Sequence, residues 1–426
     1  MPPSVAALAP TLRCIATVNE ARLSDSLNTM AAIGLQRDGS VKRLAFTEED
    51  SRARSLFSQW LQEAGASVRI DAAGNLIGRL EGSEAGLPAL VTGSHLDTVP
   101  TGGRFDGALG VLAGLEVMRS LQEQGLSLRH PLEVIAFADE ESTMVGCKGM
   151  TGVASANPAD YTCSNGDPIT QNLPRIHGNW EQLADARRSD AAIAAFLELH
   201  VEQGGILESR GDAIGLVEGV VGQRRFLVRV EGTANHAGTT PMDARQDALA
   251  TAAQVILAVQ ELATNHPGDP VGTVGKLQLW PNAANVVPGQ VEMSVDLRDL
   301  SIEILEELVE ELEARLNSIS QANGCPITLV PQFSVDPTPA HLSVTEAIAA
   351  SAEILGLSCS ALPSRASHDS QEMGRRWPMG MIFVPSQGGL SHSAAEFTSS
   401  RQCADGTAVL MQSLLRLDQR LNKVPG

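Results

Sequence analysis

The chain has 426 residues, a formal net charge of −19 and only 3% aromatic residues. Nucleic-acid binding needs a basic stripe for phosphates and aromatic platforms for bases, so a nucleic-acid partner is not expected. At 43% apolar and 19% charged, the composition is that of a soluble globular protein with room for about two to three domains. No apolar run reaches the roughly 18 residues of a membrane helix, and no membrane partner is expected. The N-terminal MPPSVAALAPTLRC lacks a basic n-region, so a secretory leader is not expected either. Six scattered cysteines without a CxxC pattern read as reduced thiols in a cytoplasm.

In chain order, Ala89-Leu90-Val91-Thr92 and Leu132 to Phe137 read as buried strands, with helical spacing from Gly110 to Leu121 between them. Such alternation predicts an α/β sheet, with polar clusters at the strand ends where open sheets carry their sites. A different unit follows over residues 224–336. It comprises a strand over Arg225 to Val230, a helix over Ala244 to Ala263, strands over Val271 to Leu279 and Val291 to Arg298, an amphipathic helix through Ile302 to Ile319 and a strand over Ile327 to Val330. The order βαββαβ is the ferredoxin-like arrangement. It predicts an α+β unit inserted into an α/β domain made of residues 1–223 plus 337–426.

The polar clusters carry the chemistry. Gly93-Ser-His95-Leu-Asp97-Thr-Val-Pro100 closes the first strand and leads into Gly102-Gly-Arg-Phe-Asp106-Gly107. At a strand end, Asp97 is suited to accept the far ring N–H of a metal-bound His95 and so set its tautomer. Asp106, in a glycine-rich loop that opens a helix, is placed to bridge two cations. Taken singly, these residues read more readily as a satisfied histidine and an N-capping aspartate. Phe137-Ala-Asp139-Glu140-Glu141 puts three carboxylates at the end of a buried strand. Mutual repulsion and desolvation penalise each of them, and a cation relieves both. One glutamate can ligate a metal while its neighbour acts as general base. His200 closes the run Phe196-Leu-Glu-Leu, and Met381-Ile-Phe-Val-Pro385 leads to Ser391-His392. Histidines and carboxylates that all follow strand-like runs point to one metal site rather than to independent core histidines.

With those residues in place, the chain resembles the amidohydrolase branch of the dimetal aminoacylase/carboxypeptidase superfamily. That branch includes N-carbamoyl-L-amino-acid hydrolases, β-ureidopropionases and allantoate amidohydrolases. The matching stretches are GSHLDTVPTGGRFDGALGV, ADEE, ELHVEQGGILE, VEGTANHAGTTPMDARQDAL, NVVPG…VDLRD and MIFVPSQGGLSHSAAEFT, in the family's order over most of the chain. ELHVEQG and ANHAGTTPMDAR are specific to the branch. The resemblance implies a di-zinc-peptidase-like catalytic domain with an inserted ferredoxin-like lid and dimerisation domain, a homodimer, and two divalent ions such as zinc, manganese, cobalt or nickel. It assigns His95, Asp106 and His200 to one ion, and Asp106, Glu141 and His392 to the other. Glu140 becomes the general base and Asp97 the orienting partner of His95. His236, in the loop Asn235 to Thr240, is expected to stabilise the oxyanion, often across a dimer. Gln203 is expected at the carbamoyl end of a small substrate, and Asn285 and Arg298 at its carboxylate. Arg298 suits a bidentate grip, with an ion pair to Asp296 or Asp299 as the plainer alternative.

Two stretches depart from the family pattern. Ser364-Arg365-Ala-Ser-His368-Asp369-Ser370 stands where SGAGHDA is expected, and Ser142-Thr-Met-Val-Gly146-Cys147 where GSRFG is expected. Cys147 reads as a buried structural thiol. His130, His177, His266 and His341 match no motif and read as structural or exposed. The expected activity is hydrolysis of an N-carbamoyl-L-amino acid. Allantoate, ureidoglycolate or N-acyl amino acid amides are alternative substrates of the same metals, and a metal-poor ligand-binding protein is the non-enzymatic alternative.

Overall fold

The computed structural model describes residues 16–421, so the N-terminal stretch just discussed, with Cys14, lies outside the described residues. The chain forms two compact units. The first contains the chain up to Glu218, Ala340–Leu362 and the residues from His368 onward; the second is Gly219–Pro339 with the short segment Pro363–Ser367. The sequence boundaries did not include that segment. Its attachment follows from pairing within the second unit, where the Val221 amide donates to the Ser364 carbonyl at 2.9 Å.

The first unit is built on a mixed sheet. Its strands run in the order Ser67–Ile70, Leu76–Leu80, Leu132–Phe137, Ala89–His95, Ile193–Val201, Met379–Val384 and then Ile214–Val220. The four from Leu132–Phe137 to Met379–Val384 are mutually parallel, and antiparallel strands flank them on either side. Parallel neighbours need crossovers, and the helix Ala108–Glu123 supplies one between Ala89–His95 and Leu132–Phe137. Three of the four are buried at every residue and Ile193–Val201 at all but one, which is why they read as unbroken apolar runs.

The pleat decides which residues are free for chemistry. Ala195, Leu197, Leu199 and Val201 belong to the main core, together with residues of the helices Glu20–Ala31, Glu48–Glu63, Ala108–Glu123, Leu342–Ile354 and Ser400–Arg420. Alternation therefore turns Phe196, Glu198 and His200 to the opposite face. The parallel strands also end along one edge, so residues that close them meet there whatever their separation in sequence.

The second unit holds an antiparallel four-stranded sheet in the order Ile327–Val335, Gly222–Glu231, Gln290–Asp299, Val271–Trp280. The helices Ala248–Asn265 and Ile302–Asn323 pack on one face through Val255, Val259, Leu305, Leu308 and Leu312. Along Gln290–Asp299 burial alternates without exception, as expected of a sheet covered on one side only. The element order is the βαββαβ read from the sequence. Among the described residues no helix is long and apolar enough to cross a membrane.

Candidate metal centre

Asp106 is the hub of the cluster. Its Oδ1 lies 3.1 Å from His200 Nε2 and 3.7 Å from His95 Nε2, and its Oδ2 lies 3.4 Å from His392 Nε2. His95 Nε2 is also 3.5 Å from Glu140 Oε2, and His392 Nε2 is 3.6 Å from Glu141 Oε1. The structure thus gathers His95, Asp106, Glu140, Glu141, His200 and His392 from five separate stretches of chain. His95, Asp106, Glu140 and His200 are buried, while the His392 side chain is 49% exposed.

Backbone groups fix the rings. His95 Nδ1 lies 2.9 Å from the carbonyl of Asp97, and His200 Nδ1 lies 2.8 Å from the carbonyl of Val201. A carbonyl only accepts, so Nδ1 carries the proton in both rings and Nε2 is presented to the cluster. This corrects the expectation for Asp97. Its carboxylate stands 4.0 Å from the His95 ring and instead accepts the amides of Glu140 at 3.4 Å and Glu141 at 3.2 Å. Asp97 therefore holds His95 through its main chain and the acidic segment through its side chain.

Several residues support the cluster in ways that the sequence did not indicate. Glu396 is buried and accepts the amides of Phe105 at 2.8 Å and Asp106 at 3.1 Å, so it anchors the loop that carries the hub. Ser391 Oγ and Gln203 Nε2 each donate to Asp106 Oδ2 at 2.8 Å. Arg43 is buried and donates to the carbonyls of Leu96, Met30 and Ile33, fixing the chain between His95 and Asp97. Gly107 has φ +65°, and a Cβ there would collide with the His95 ring; no other residue type fits the approach. Asp139, Gln203 and His392 adopt φ of +55°, +59° and +52°. Left-handed backbone at three non-glycine residues around one cluster is strain that the surrounding fold sustains at a functional site.

Electrostatics call for positive charge in the cluster. Burial, reinforced by Glu141, Asp369, Asp97 and Asp106, holds the Glu140 carboxyl well above the usual carboxylate range. Burial likewise raises Glu141 to about 7, with His95 and His392 pulling against Asp106 and Asp97. Burial would raise Asp106 as well, but hydrogen bonds and charge from His200 and His392 keep it well below its usual value. Burial lowers the His200 ring, yet its bond to Asp106 and the nearby Glu198 outweigh that and take it to about 9. The bond to Asp106 takes His392 to about 9.

The donor set fits divalent cations. In His95–Asp106–His200 and in Asp106–Glu141–His392, one ligand atom from each residue lies within 4.8 Å of the others. The two groups share Asp106. Gln203 Oε1 and Asp139 Oδ1, both buried, have no hydrogen-bond partner, an unusual state that a bound ion or its water would relieve. Imidazole and carboxylate donors of this kind suit first-row metals.

His236, Asn285 and Arg298 belong to the second unit. His236 pairs with Val286 in a short ladder, and the Ala237 amide donates to the Asn285 carbonyl at 2.9 Å. That brings the expected oxyanion histidine next to Asn285, one of the residues expected at the substrate. Arg298 lies on Gln290–Asp299 and donates to Asp296 Oδ1 at 2.8 Å, the ion pair foreseen as its plainer role, and to the Arg365 carbonyl at 2.7 Å.

The two departures from pattern are accommodated. Arg365 and Ser367 do not adopt positive φ, so replacing glycine there leaves the backbone unstrained. Cys147 is fully buried, with its thiol 3.4 Å from the Met144 carbonyl and its pKa pushed well up by burial, as a packing residue would be. His130 rests on the Pro88 carbonyl at 2.8 Å, and His341 caps the helix Leu342–Ile354.

The model of peptidase family M20/M25/M40 matches residues 91–416. An N-carbamoyl-L-amino acid amidohydrolase of Geobacillus stearothermophilus is 38% identical over 403 residues, covering 93% of this chain and 98% of that protein. An allantoate amidohydrolase of Bacillus subtilis is 36% identical over 401 residues, covering 93% and 97%. Among solved structures, a hydantoinase/carbamoylase family amidase from Burkholderia multivorans superposes with a TM-score of 0.89 at 35% identity, covering 94% and 98%.

Proposed function

The chain belongs to peptidase family M20/M25/M40, and from that premise we propose that it hydrolyses N-carbamoyl-L-amino acids to the amino acid, carbon dioxide and ammonia. The observation that carries this reading is the pair of ligand groups sharing Asp106, with the carboxyl of Glu140 3.5 Å from His95 of the first group. The amidohydrolase names of relatives at 33–38% identity supply the bond type and the leading substrate class.

Two divalent ions, one held by His95, Asp106 and His200 and the other by Asp106, Glu141 and His392, would polarise the scissile carbonyl and acidify a water. Zinc, manganese, cobalt and nickel all accept such ligands. Glu140 takes the proton from the attacking water and returns it to the leaving nitrogen. A buried carboxyl with a raised proton affinity suits that exchange near neutral pH. Asp97 positions Glu140 and Glu141 through their amides. Gln203 meets the carbamoyl end, His236 steadies the oxyanion, and Arg298 with Asn285 holds the substrate carboxylate. The protein acts as a homodimer in the cytoplasm, where unpaired thiols such as Cys147 and Cys403 persist.

A second reading keeps the metals and takes allantoate or ureidoglycolate. It is favoured by relatives so named at 36% identity. An ammonia-release screen of N-carbamoyl amino acids, allantoate and ureidoglycolate separates the two, with N-acyl amino acids followed by amine release. Fastest turnover of the carbamoyl amino acids is the expected outcome. Release from allantoate or ureidoglycolate alone transfers the reading to that class. No turnover of any compound with zinc, manganese or cobalt supplied sinks it in favour of a non-catalytic binding protein.

A further inference from the structure

The open face of the second unit's sheet concentrates positive charge in a chain whose net charge is −19. A cavity of about 580 Å³ on that unit is lined by Arg225, Lys276, Arg298 and Arg365, with Asp296 as its one acidic side chain and Ser294 as a neutral donor. Asp296 serves two of the cations at once, accepting from Arg298 Nε at 2.8 Å and from Arg225 Nη2 at 2.9 Å. One carboxylate between two guanidinium groups leaves a full positive charge over. Arg365 pairs with Asp269, whose side chain is 93% exposed, so water screens that neutralisation. Lys276 makes no ion pair among the described residues.

The backbone is shaped to place Lys276 in this cavity. Met293 faces Leu277 and Val295 faces Val274, so Ser294 is opposed by both Gly275 and Lys276. This is a β-bulge, one extra residue on the strand Val271–Trp280. Val274 and Leu279 both pack against the unit's core, although they are five apart and unbroken alternation would send them to opposite faces. Without the bulge, Lys276 would share the inward parity of Val274. With it, the ammonium joins the three arginines. A Cβ on Gly275 would meet nothing closer than Ser294 Oγ at 3.9 Å, so the floor beside Lys276 is open.

We propose that this cavity binds an acid group on the substrate's side chain, making N-carbamoyl derivatives of acidic amino acids, the aspartate and glutamate class, the preferred substrates. The proposal rests on the reading of Arg298 as the grip on the α-carboxylate. A single carboxylate is satisfied by one guanidinium, so a neutral amino acid leaves the charge of Lys276 unanswered and that of Arg365 met only by the exposed Asp269. Cavities of a few hundred Å³ house whole small ligands rather than one carboxylate. Arg365 stands at a position where the family pattern has a small residue, so this preference belongs to the chain and not to the family.

The test is titration calorimetry of the full-length, metal-loaded Glu140→Gln protein with N-carbamoyl-L-glutamate and its neutral isostere N-carbamoyl-L-glutamine. The acid binds at least about tenfold more tightly than the amide, the order expected of a close charge pair. Lys276→Met and Arg365→Gly each bring that ratio most of the way to one, and circular dichroism verifies that both variants fold. Equal affinity for the two compounds, or a ratio that neither substitution changes, overturns the proposal while leaving the amidohydrolase reading in place. Failure of both compounds to bind, while allantoate binds, overturns the carbamoyl amino acid reading itself and this proposal with it.

Discussion

Asp106 has 6% of its side chain exposed and faces three imidazoles within 3.7 Å, whereas Arg298 is 30% exposed and shares Asp296 with Arg225. The first environment is closed and negative, and its carboxyls are pushed toward protonation by burial and by one another. The second is open and positive, its charges paired loosely and in reach of water. A cluster of this kind tolerates few changes, because the His95 and His200 tautomers, the loop carrying Asp106 and even Gly107 are fixed by neighbours. An open cationic face is adjustable. One bulge and one arginine in place of a small residue alter what it attracts while the fold stays as it was. On the proposed reading, chemistry and specificity are thus written in different physical terms in the two units.

Substitutions should separate the two regions. Glu140→Gln keeps the shape of the buried cluster and removes its proposed proton carrier. Turnover is expected to fall by about 10³-fold or more with metal content unchanged, read by steady-state kinetics beside elemental analysis. Full activity in that variant would break the assignment of the base. Arg298→Met acts on the open face. KM is expected to rise on the order of 10- to 100-fold while kcat changes far less, because a uniform binding contact is lost. An equal fall in kcat would mean that Arg298 belongs with the chemistry, and the contrast between the regions would weaken.

The smallest effect concerns the metal-stripped protein. His200 and His392 are raised to about 9 and Glu141 to about 7, so over pH 5–9 the folded state holds protons that the unfolded state releases. Stability should therefore fall as pH rises, through the Glu141 interval from about 4.5 to 7 and the histidine interval from about 6.5 to 9. Each of the three shifts adds to the loss, which is read as a fall in the urea midpoint. Asp106, with a lowered pKa, contributes the opposite slope only in acid, below its usual range. Metal binding requires the same groups to shed protons, so the loaded protein should show its largest gain at the alkaline end. A metal-free protein that grows more stable across this range would contradict the electrostatic account.

Much of the buried cluster was legible because His95, His200 and the carboxylates Glu140 and Glu141 follow apolar runs, and parallel strands bring such ends together. Strand periodicity and the order βαββαβ were legible for the same reason: burial repeats with the pleat or the helical turn. What could not be read depends on single torsions or on contacts across the chain. Whether His95 meets the carbonyl or the carboxylate of Asp97 is a matter of one backbone turn. Glu396 reaches Asp106 across 290 residues and looks in sequence like any loop glutamate. Arg43 lies in a polar stretch and shows its role only when three carbonyls converge on it. On the second unit, Val271 to Leu279 reads as a plain strand, although the phase shift between Val274 and Leu277 around Gly275 marks the bulge that redirects Lys276.

The central claim is that Asp106 joins two cation sites. Elemental analysis of the purified chain, dialysed after loading with zinc or manganese, tests it most directly when run beside His200→Ala and His392→Ala. The account predicts about two ions per chain in the parent protein and about one in each variant, since each substitution removes a ligand from a different group. A parent protein that retains less than one ion per chain, or variants that keep the parent's content, would contradict it.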